Sequence, residues 1–139
     1  MRIDLLAKLV MSLPLLAVGC ANENRQPSPQ ATAEQMRGRV VRLAELEIDS
    51  AQLENYRAAL REEIETSIRV EPGVLTLYAV SEKEYPARVR IFETYANEAA
   101  YRAHLETSHF KKYKTGTQAM VKSLKLVEAD PIWLGAKAK

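Results

Sequence analysis

The chain has 139 residues, of which 47% are hydrophobic and 27% are charged, and its formal net charge is +2 at pH 7. A chain of this length holds one domain with a modest core. Because the net charge is close to zero and both signs are mixed along the sequence, the composition gives no electrostatic case for a nucleic-acid partner.

The first residues form a predicted targeting segment. Arg2 and Lys8 accompany an apolar run at residues 9–18. That run is too short to span a bilayer, which takes about 20 apolar residues, but it is typical of a secretory signal peptide, predicted here over residues 1–19. The small residues before Cys20 resemble the lipobox of bacterial lipoproteins, so we expect a lipid-anchored membrane protein of the bacterial cell envelope. A plain signal peptide with an incidental cysteine is the alternative.

The next segment is a predicted tether between the lipid and the domain. Cys20 is the only cysteine in the sequence, so an exported domain forms no internal disulfide and offers no thiolate metal site. Residues 20–39 hold few large apolar side chains and cannot bury enough surface to offset the entropy of ordering them. We therefore expect residues 20–39 to be lipidated and flexible, and residues 40–139 to form one domain.

The domain begins with a strand and a long helix. Residues 40–48 alternate imperfectly between apolar and polar positions and predict the strand. Asp49 or Ser50 can cap the helix that follows, in which apolar residues recur every three or four positions. The Glu-Pro-Gly sequence at residues 71–73 ends that helix.

The second half of the domain repeats the pattern with an added hairpin. Residues 74–80 and 89–94 predict two strands, and their short link makes them antiparallel neighbours. Asn97 caps a second helix, Ser108 caps a further helical stretch, and residues 123–129 predict the last strand. The order β-α-β-β-α-β predicts an α+β, ferredoxin-like sheet with its helices on one face.

The second strand carries information about assembly, because it is apolar on both of its faces. A sheet that has all its helices on one side shows a polar outer face when it is monomeric. Another copy of the same sheet would cover the apolar second face with two-fold symmetry, so we expect a homodimer, a dimeric α+β barrel. The two sets of side chains are Leu75, Leu77 and Ala79 on one face and Val74, Tyr78 and Val80 on the other.

One segment, residues 91–113, points to chemistry. It resembles the signature of the antibiotic biosynthesis monooxygenase family, in which an acidic residue ends the third strand, an aromatic residue follows, and a histidine precedes a Ser/Thr-x-His-Phe type of turn. The matching residues are Glu93, Tyr95, His104, Thr107, His109 and Phe110. The resemblance implies a cofactor-free monooxygenase that oxidises a quinol or a similar small dihydroxy-aromatic compound with dioxygen, and it implies the same barrel and dimer.

Glu93 and His104 are the candidate catalytic residues. A carboxylate can hold an imidazole in one tautomer and raise its basicity. We therefore expect His104, oriented by Glu93, to take a proton from the substrate in a pocket between the second helix and the sheet. Candidates for substrate contact or anion stabilisation are Tyr78, Arg90, Tyr113 and, at the pocket rim, His109. Packing for the tyrosines, solvation for Arg90 and an ion pair for Glu93 are the alternatives.

We expect no metal site and no organic cofactor. His104 and His109 are five positions apart and would not share a face on a continuous helix. The sequence also contains no phosphate-binding or dinucleotide-binding glycine motif. Two other functions stay open: a non-enzymatic envelope lipoprotein that binds a small ligand in the same cavity, and an isomerase of the same fold.

Overall fold

The computed structural model of the chain describes residues 36–135. The predicted signal peptide, Cys20 and most of the predicted tether lie outside this range. The described elements are β1 Val40–Ile48, α1 Leu53–Val70, β2 Val74–Ser81, β3 Arg88–Tyr95, α2 Glu98–Glu106, α3 Ser108–Thr117 and β4 Val121–Ala129. Across residues 36–135, no helix is both long enough and apolar enough to span a bilayer.

The four strands form one antiparallel sheet in the order β2-β3-β1-β4. This order is the ferredoxin-like arrangement that the β-α-β-β-α-β sequence predicts, and the predicted α+β class is confirmed. Alternation along β1 sends Ala44, Leu46 and Ile48 towards the helices, where they pack against Tyr56 and Leu60 of α1. The amphipathic α1 therefore covers the centre of one face of the sheet.

Strand β2 does not keep the regular alternation that its sequence suggests. Its register against β3 shifts between Val74 and Thr76, so Val74 and Leu77 both reach the helix side and pack with Tyr95. The expectation that Val74 shares a face with Tyr78 is therefore wrong. The side chain of Leu75 is 40% exposed, because the irregularity leaves it without cover.

Two helix starts differ from the sequence prediction by a few residues. The Asp49 carboxylate accepts a hydrogen bond from the Ala51 N–H at 3.0 Å, but it caps a short 3-10 turn that precedes α1. At α3 the cap is Thr107 rather than Ser108, because the Thr107 hydroxyl accepts from the Phe110 N–H at 3.2 Å. Asn97 caps α2 as predicted, accepting from the Ala100 N–H at 2.8 Å.

Gly73 fixes how closely α2 approaches the link between α1 and β2. A Cβ atom added at Gly73 would lie 2.5 Å from the Cβ of Ala100 in α2. The Gly73 carbonyl also accepts a hydrogen bond from the Ala96 N–H at 2.9 Å. Glycine at this position thus lets α2 sit against the end of α1.

Gly73→Ala is expected to lower the free energy of unfolding by about 1–3 kcal/mol, because the added methyl group overlaps Ala100. Gly116→Ala in α3 is the matched control, since a Cβ there meets nothing within 4 Å. That change should raise the free energy of unfolding by up to about 1 kcal/mol, because alanine is the better helix former. Urea denaturation of both variants measures the difference, and an equal effect would contradict the close approach.

Candidate functional site

A cavity of about 690 Å³ lies between the helix-bearing face of the sheet and helices α2 and α3. Side chains of β1, β3 and β4 form its floor, and Leu105 and Phe110 are among its apolar walls. Leu124 and Leu126 of β4 also line it but are 40% and 53% exposed. The cavity therefore opens to solvent along β4.

Glu93 is the carboxylate of this cavity. The Tyr95 hydroxyl donates a hydrogen bond to Glu93 Oε2 at 2.9 Å. Burial raises the pKa of the Glu93 carboxyl above its ordinary value, and the opposing effects of the Tyr95 hydrogen bond and of His104 are smaller. A carboxylate with a raised pKa is a stronger proton acceptor than an exposed glutamate, so Glu93 is suited to take a proton from a bound molecule.

Arg42 supplies a positive charge to the same cavity. Its guanidinium group lies 4.1 Å from the ring centre of Tyr101, and its Nη2 donates to Glu128 Oε1 at 2.9 Å. The buried Nε of Arg42 has no hydrogen-bond partner within the part of the chain that the structure describes. The sequence could have singled out Arg42 as a site residue, because it is an arginine on the core-facing side of a half-apolar strand.

His104 lines the cavity and is buried, with 3% of its surface exposed. Its ring packs between Tyr95 and Phe110, with ring centres 5.3 and 4.7 Å away. Its Nδ1 lies 3.0 Å from Glu71 Oε1. His104 thus lies in the wall of the cavity, and the expected partner Glu93 is corrected, because Glu71 rather than Glu93 is hydrogen-bonded to its ring.

Glu71 also bonds the second histidine. The distance from His109 Nε2 to Glu71 Oε1 is 2.6 Å. Burial pushes the pKa of Glu71 upwards, but the hydrogen bonds from His109 and His104 outweigh it and hold that pKa below its ordinary value. Glu71 is therefore an ionised acceptor for both imidazoles.

The break between α2 and α3 explains how two histidines five positions apart converge. His104 lies in the last turn of α2, the chain turns at Thr107, and His109 lies in the first turn of α3. Their ring centres are 6.4 Å apart. The argument that His104 and His109 do not share a site assumes one continuous helix. That assumption is wrong, because the helix breaks at Thr107.

A second buried carboxylate faces the same histidine. Glu63 of α1 is 6% exposed and accepts a hydrogen bond from the Ser67 hydroxyl at 2.7 Å. Its Oε1 lies 3.7 Å from His104 Nε2. Burial raises the pKa of the Glu63 carboxyl more than Ser67 and the histidines lower it. One donor atom each from Glu63, His104 and His109 lie within 4.8 Å of one another.

The other predicted substrate contacts separate into two groups. Tyr113 lines the cavity, and its hydroxyl is 2.7 Å from that of Tyr56. His109 lines a smaller neighbouring pocket of about 140 Å³ instead. The structure does not bring Tyr78 or Arg90 to either pocket, because the pleat turns both to the opposite face of the sheet. Tyr78 is 65% exposed there, and Arg90 donates to Glu82 at 2.8 Å.

Residues 39–116 match the profile of a family described as antibiotic biosynthesis monooxygenase. A solved structure from Bacteroides thetaiotaomicron, described as a candidate antibiotic biosynthesis monooxygenase, is 55% identical with a TM-score of 0.71, over 75% of this chain and 99% of that chain. A candidate monooxygenase from Lactobacillus acidophilus is 34% identical with a TM-score of 0.63, over 64% of this chain but only 42% of its own. A candidate antibiotic biosynthesis monooxygenase from Nitrosomonas europaea is 23% identical with a TM-score of 0.64, over 68% of this chain and 91% of that chain, and it shares the fold. A comparison with curated proteins gave no significant match.

The matched segment starts one residue before β1 and ends inside α3. It therefore contains the polar cavity residues described above. It also contains the histidine cluster, which consists of Glu63, Glu71, His104 and His109. Together they are Arg42, Glu63, Glu71, Glu93, Tyr95, His104, His109 and Tyr113. By this match and by the 55% identity to the Bacteroides structure, the chain belongs to the antibiotic biosynthesis monooxygenase family.

Proposed function

We propose that the protein is a cofactor-independent monooxygenase that oxidises a quinol or a similar small dihydroxy-aromatic compound in the 690 Å³ cavity. The observation that carries the proposal is the pairing, in one largely apolar cavity, of a carboxylate of raised pKa, Glu93, with the cation of Arg42. Cavities that bind small molecules typically measure about 300–1,000 Å³ and combine apolar walls with a few polar groups. The family membership and the description of the Bacteroides relative support the same class of reaction.

The first step needs a base within reach of a phenolic proton. Glu93 is the better placed of the two predicted catalytic residues, because both nitrogens of the His104 ring face carboxylates. The Glu93 carboxylate accepts a hydrogen bond from the Tyr95 hydroxyl, and this bond fixes the position of the carboxylate. His104 then acts as a second polar group beside the substrate rather than as the principal base.

The second step is electron transfer from the deprotonated substrate to dioxygen. The substrate supplies all the electrons: one oxygen atom enters the ring, the other leaves as water, and the quinol becomes a hydroxyquinone. Negative charge develops on the phenolate and on the reduced oxygen, and the Arg42 cation stabilises it in a cavity whose lining is largely apolar. Burial raises the pKa of Tyr113, so its hydroxyl stays neutral, and it can donate to the substrate when Tyr56 is the donor of the bond between the two hydroxyls.

The test is oxygen uptake with a panel of hydroquinones. Glu93→Gln is expected to lower kcat/KM by about 10²-fold or more, the lower end of general-base contributions. Because the carboxylate is the active form, kcat/KM of the wild type should rise with pH through the raised pKa of Glu93, and this rise should vanish in Glu93→Gln. His104→Ala should reduce the rate less. Glu47→Gln, at an exposed position of β1, is the matched control.

Three outcomes decide between the readings of the cavity. Unchanged turnover in a folded Glu93→Gln protein, with a large loss in His104→Ala, would return the base to His104. Tight binding of the aromatic compound without oxygen uptake would favour the non-enzymatic binding protein. Conversion of the substrate without oxygen uptake would favour an isomerase.

We also propose a homodimer in which the open face of the sheet is covered by a second copy. Tyr78 and Val80 are 65% and 64% exposed on this face, although both are large and apolar. Contiguous apolar surface of this kind marks interaction sites in soluble proteins. The sheet-on-sheet pairing follows because each copy offers the same patch.

Tyr78→Asp is expected to shift the protein towards monomer, because burying one large apolar side chain contributes about 1.5–3 kcal/mol. Tyr85→Asp is the matched control, since Tyr85 is 56% exposed but lies in the link between β2 and β3. Sedimentation velocity of both variants measures the change. A wild-type protein that sediments as a monomer at micromolar concentration would remove the dimer proposal.

We propose, finally, that the protein works at the bacterial cell envelope, anchored by lipid at Cys20. The support is the sequence alone: the short apolar run at residues 9–18 and the absence of a partner cysteine. Intact mass of the mature protein extracted from membranes is expected to show acylated Cys20 at the N-terminus. A soluble species that begins at another residue and carries no acyl mass would contradict this.

A further inference from the structure

The large cavity has charged side chains at both of its ends, and the proposed oxidation uses only one end. Arg42 and Glu93 are paired across β1 and β3 at the first end. Lys114 and Lys122 line the cavity towards the second end, where α3 leads into β4. Building on the quinol oxidation proposed above, we propose that the substrate ring carries an apolar side chain with a terminal carboxylate, and that Lys114 and Lys122 bind this carboxylate.

The strand register gives the distance between the two ends. Lys122 precedes Ser123, which pairs with Glu47, and Glu47 is five positions after Arg42 in β1. At about 3.4 Å per residue, five positions correspond to about 17 Å of strand. A single aromatic ring is much shorter than this distance, so a ring at Glu93 does not reach the lysines without a side chain.

The cavity lining between the two ends is apolar. Leucines of β4 face the helices at this level and are partly exposed along the opening of the cavity. An apolar side chain on the substrate would cover them and remove their surface from water. In order from the Arg42 end, the paired lining residues of β1 and β4 are Ala44 with Leu126 and Leu46 with Leu124.

Lys114 lies on the side of α3 that faces the cavity. Phe110, Lys114 and Thr117 follow one another at spacings of four and three positions, and all three line the cavity. Lys111 and Lys112 of the same helix form ion pairs with glutamates instead. Lys114 forms no ion pair within residues 36–135, so its charge is available to a bound anion.

Lys122 supplies a second cation whose own partner is weak. Its Nζ lies 3.8 Å from Asp49 Oδ1, and both side chains are exposed. The same oxygen accepts the hydrogen bond from the Ala51 N–H. An exposed ion pair of this length contributes little free energy, so a carboxylate that also meets Lys114 can compete with Asp49.

The balance of charge in the cavity fixes the orientation of such a substrate. Among its lining residues, Glu93 is the carboxylate, and Arg42 shares its charge with Glu128. The excess positive charge therefore lies with Lys114 and Lys122. A substrate carboxylate is ionised at pH 7, so it is attracted to the lysines and repelled by Glu93, which leaves the phenolic end beside the base.

The experiment compares two ligands that differ in charge alone: a hydroquinone with a pentanoate side chain and the methyl ester of the same compound. Calorimetric titration of the full chain without dioxygen measures both dissociation constants. The wild type should bind the acid about 10-fold more tightly than the ester at low ionic strength, since two exposed ion pairs contribute about 3-fold each. This preference should shrink in 0.5 M salt, where the Debye length falls below about 5 Å.

Lys114→Gln should reduce the preference for the acid by about 3-fold, and the double variant with Lys122→Gln should abolish it, while the affinity for the ester stays unchanged. Lys111→Gln is the matched control, because it removes the same charge from α3 at a position that does not line the cavity. Its preference should equal that of the wild type.

Equal affinity of the wild type for acid and ester would overturn the inference, and so would a preference that survives in the double variant or falls equally in Lys111→Gln. Oxygen uptake with the ester would then leave the oxidation activity standing. A lysine-dependent preference for the acid without any oxygen uptake would support the carboxylate site and remove the oxidation activity instead.

Discussion

The Glu71 carboxylate accepts hydrogen bonds from His104 at 3.0 Å and from His109 at 2.6 Å, and this one acceptor links the end of α1 to both α2 and α3. It lies just past the end of α1, while its two donors come from the end of α2 and the start of α3. The turn at Thr107 makes the convergence possible, and the absence of a side chain at Gly73 lets α2 come near enough. The histidine cluster therefore connects the three helices and brings their polar side chains together.

The two faces of the sheet carry different functional side chains, because successive residues of a strand point to opposite sides. Alternate residues of β1 and β3 face the helices and place Arg42 and Glu93 in the cavity, and the residues between them face the open side. The same alternation sends Tyr78 and Arg90 away from the cavity. The cavity and the surface proposed for the second copy therefore lie on opposite faces of the same sheet.

Periodicity made most of the fold predictable, whereas the geometry of the site depended on irregularities. The β1 range and the hairpin follow from alternation and a short link, both local properties of the sequence. The irregularity in β2 near Leu75 and the displacement of the α3 cap to Thr107 shift side chains by one position. The pattern of neighbouring residues in the sequence predicts neither of them. The sequence predicts only a helix end at Glu71 and only a strand position at Arg42, because their partners lie far away in the sequence.

That distance in sequence has a consequence for the order of folding. Glu71 is separated from His104 by 33 positions and from His109 by 38. Closing loops of this length has an entropic cost that only an assembled sheet and docked helices can offset. The cluster should therefore form only when α1, α2 and α3 are docked, so a chain whose helices are not docked would lack the bonded histidines.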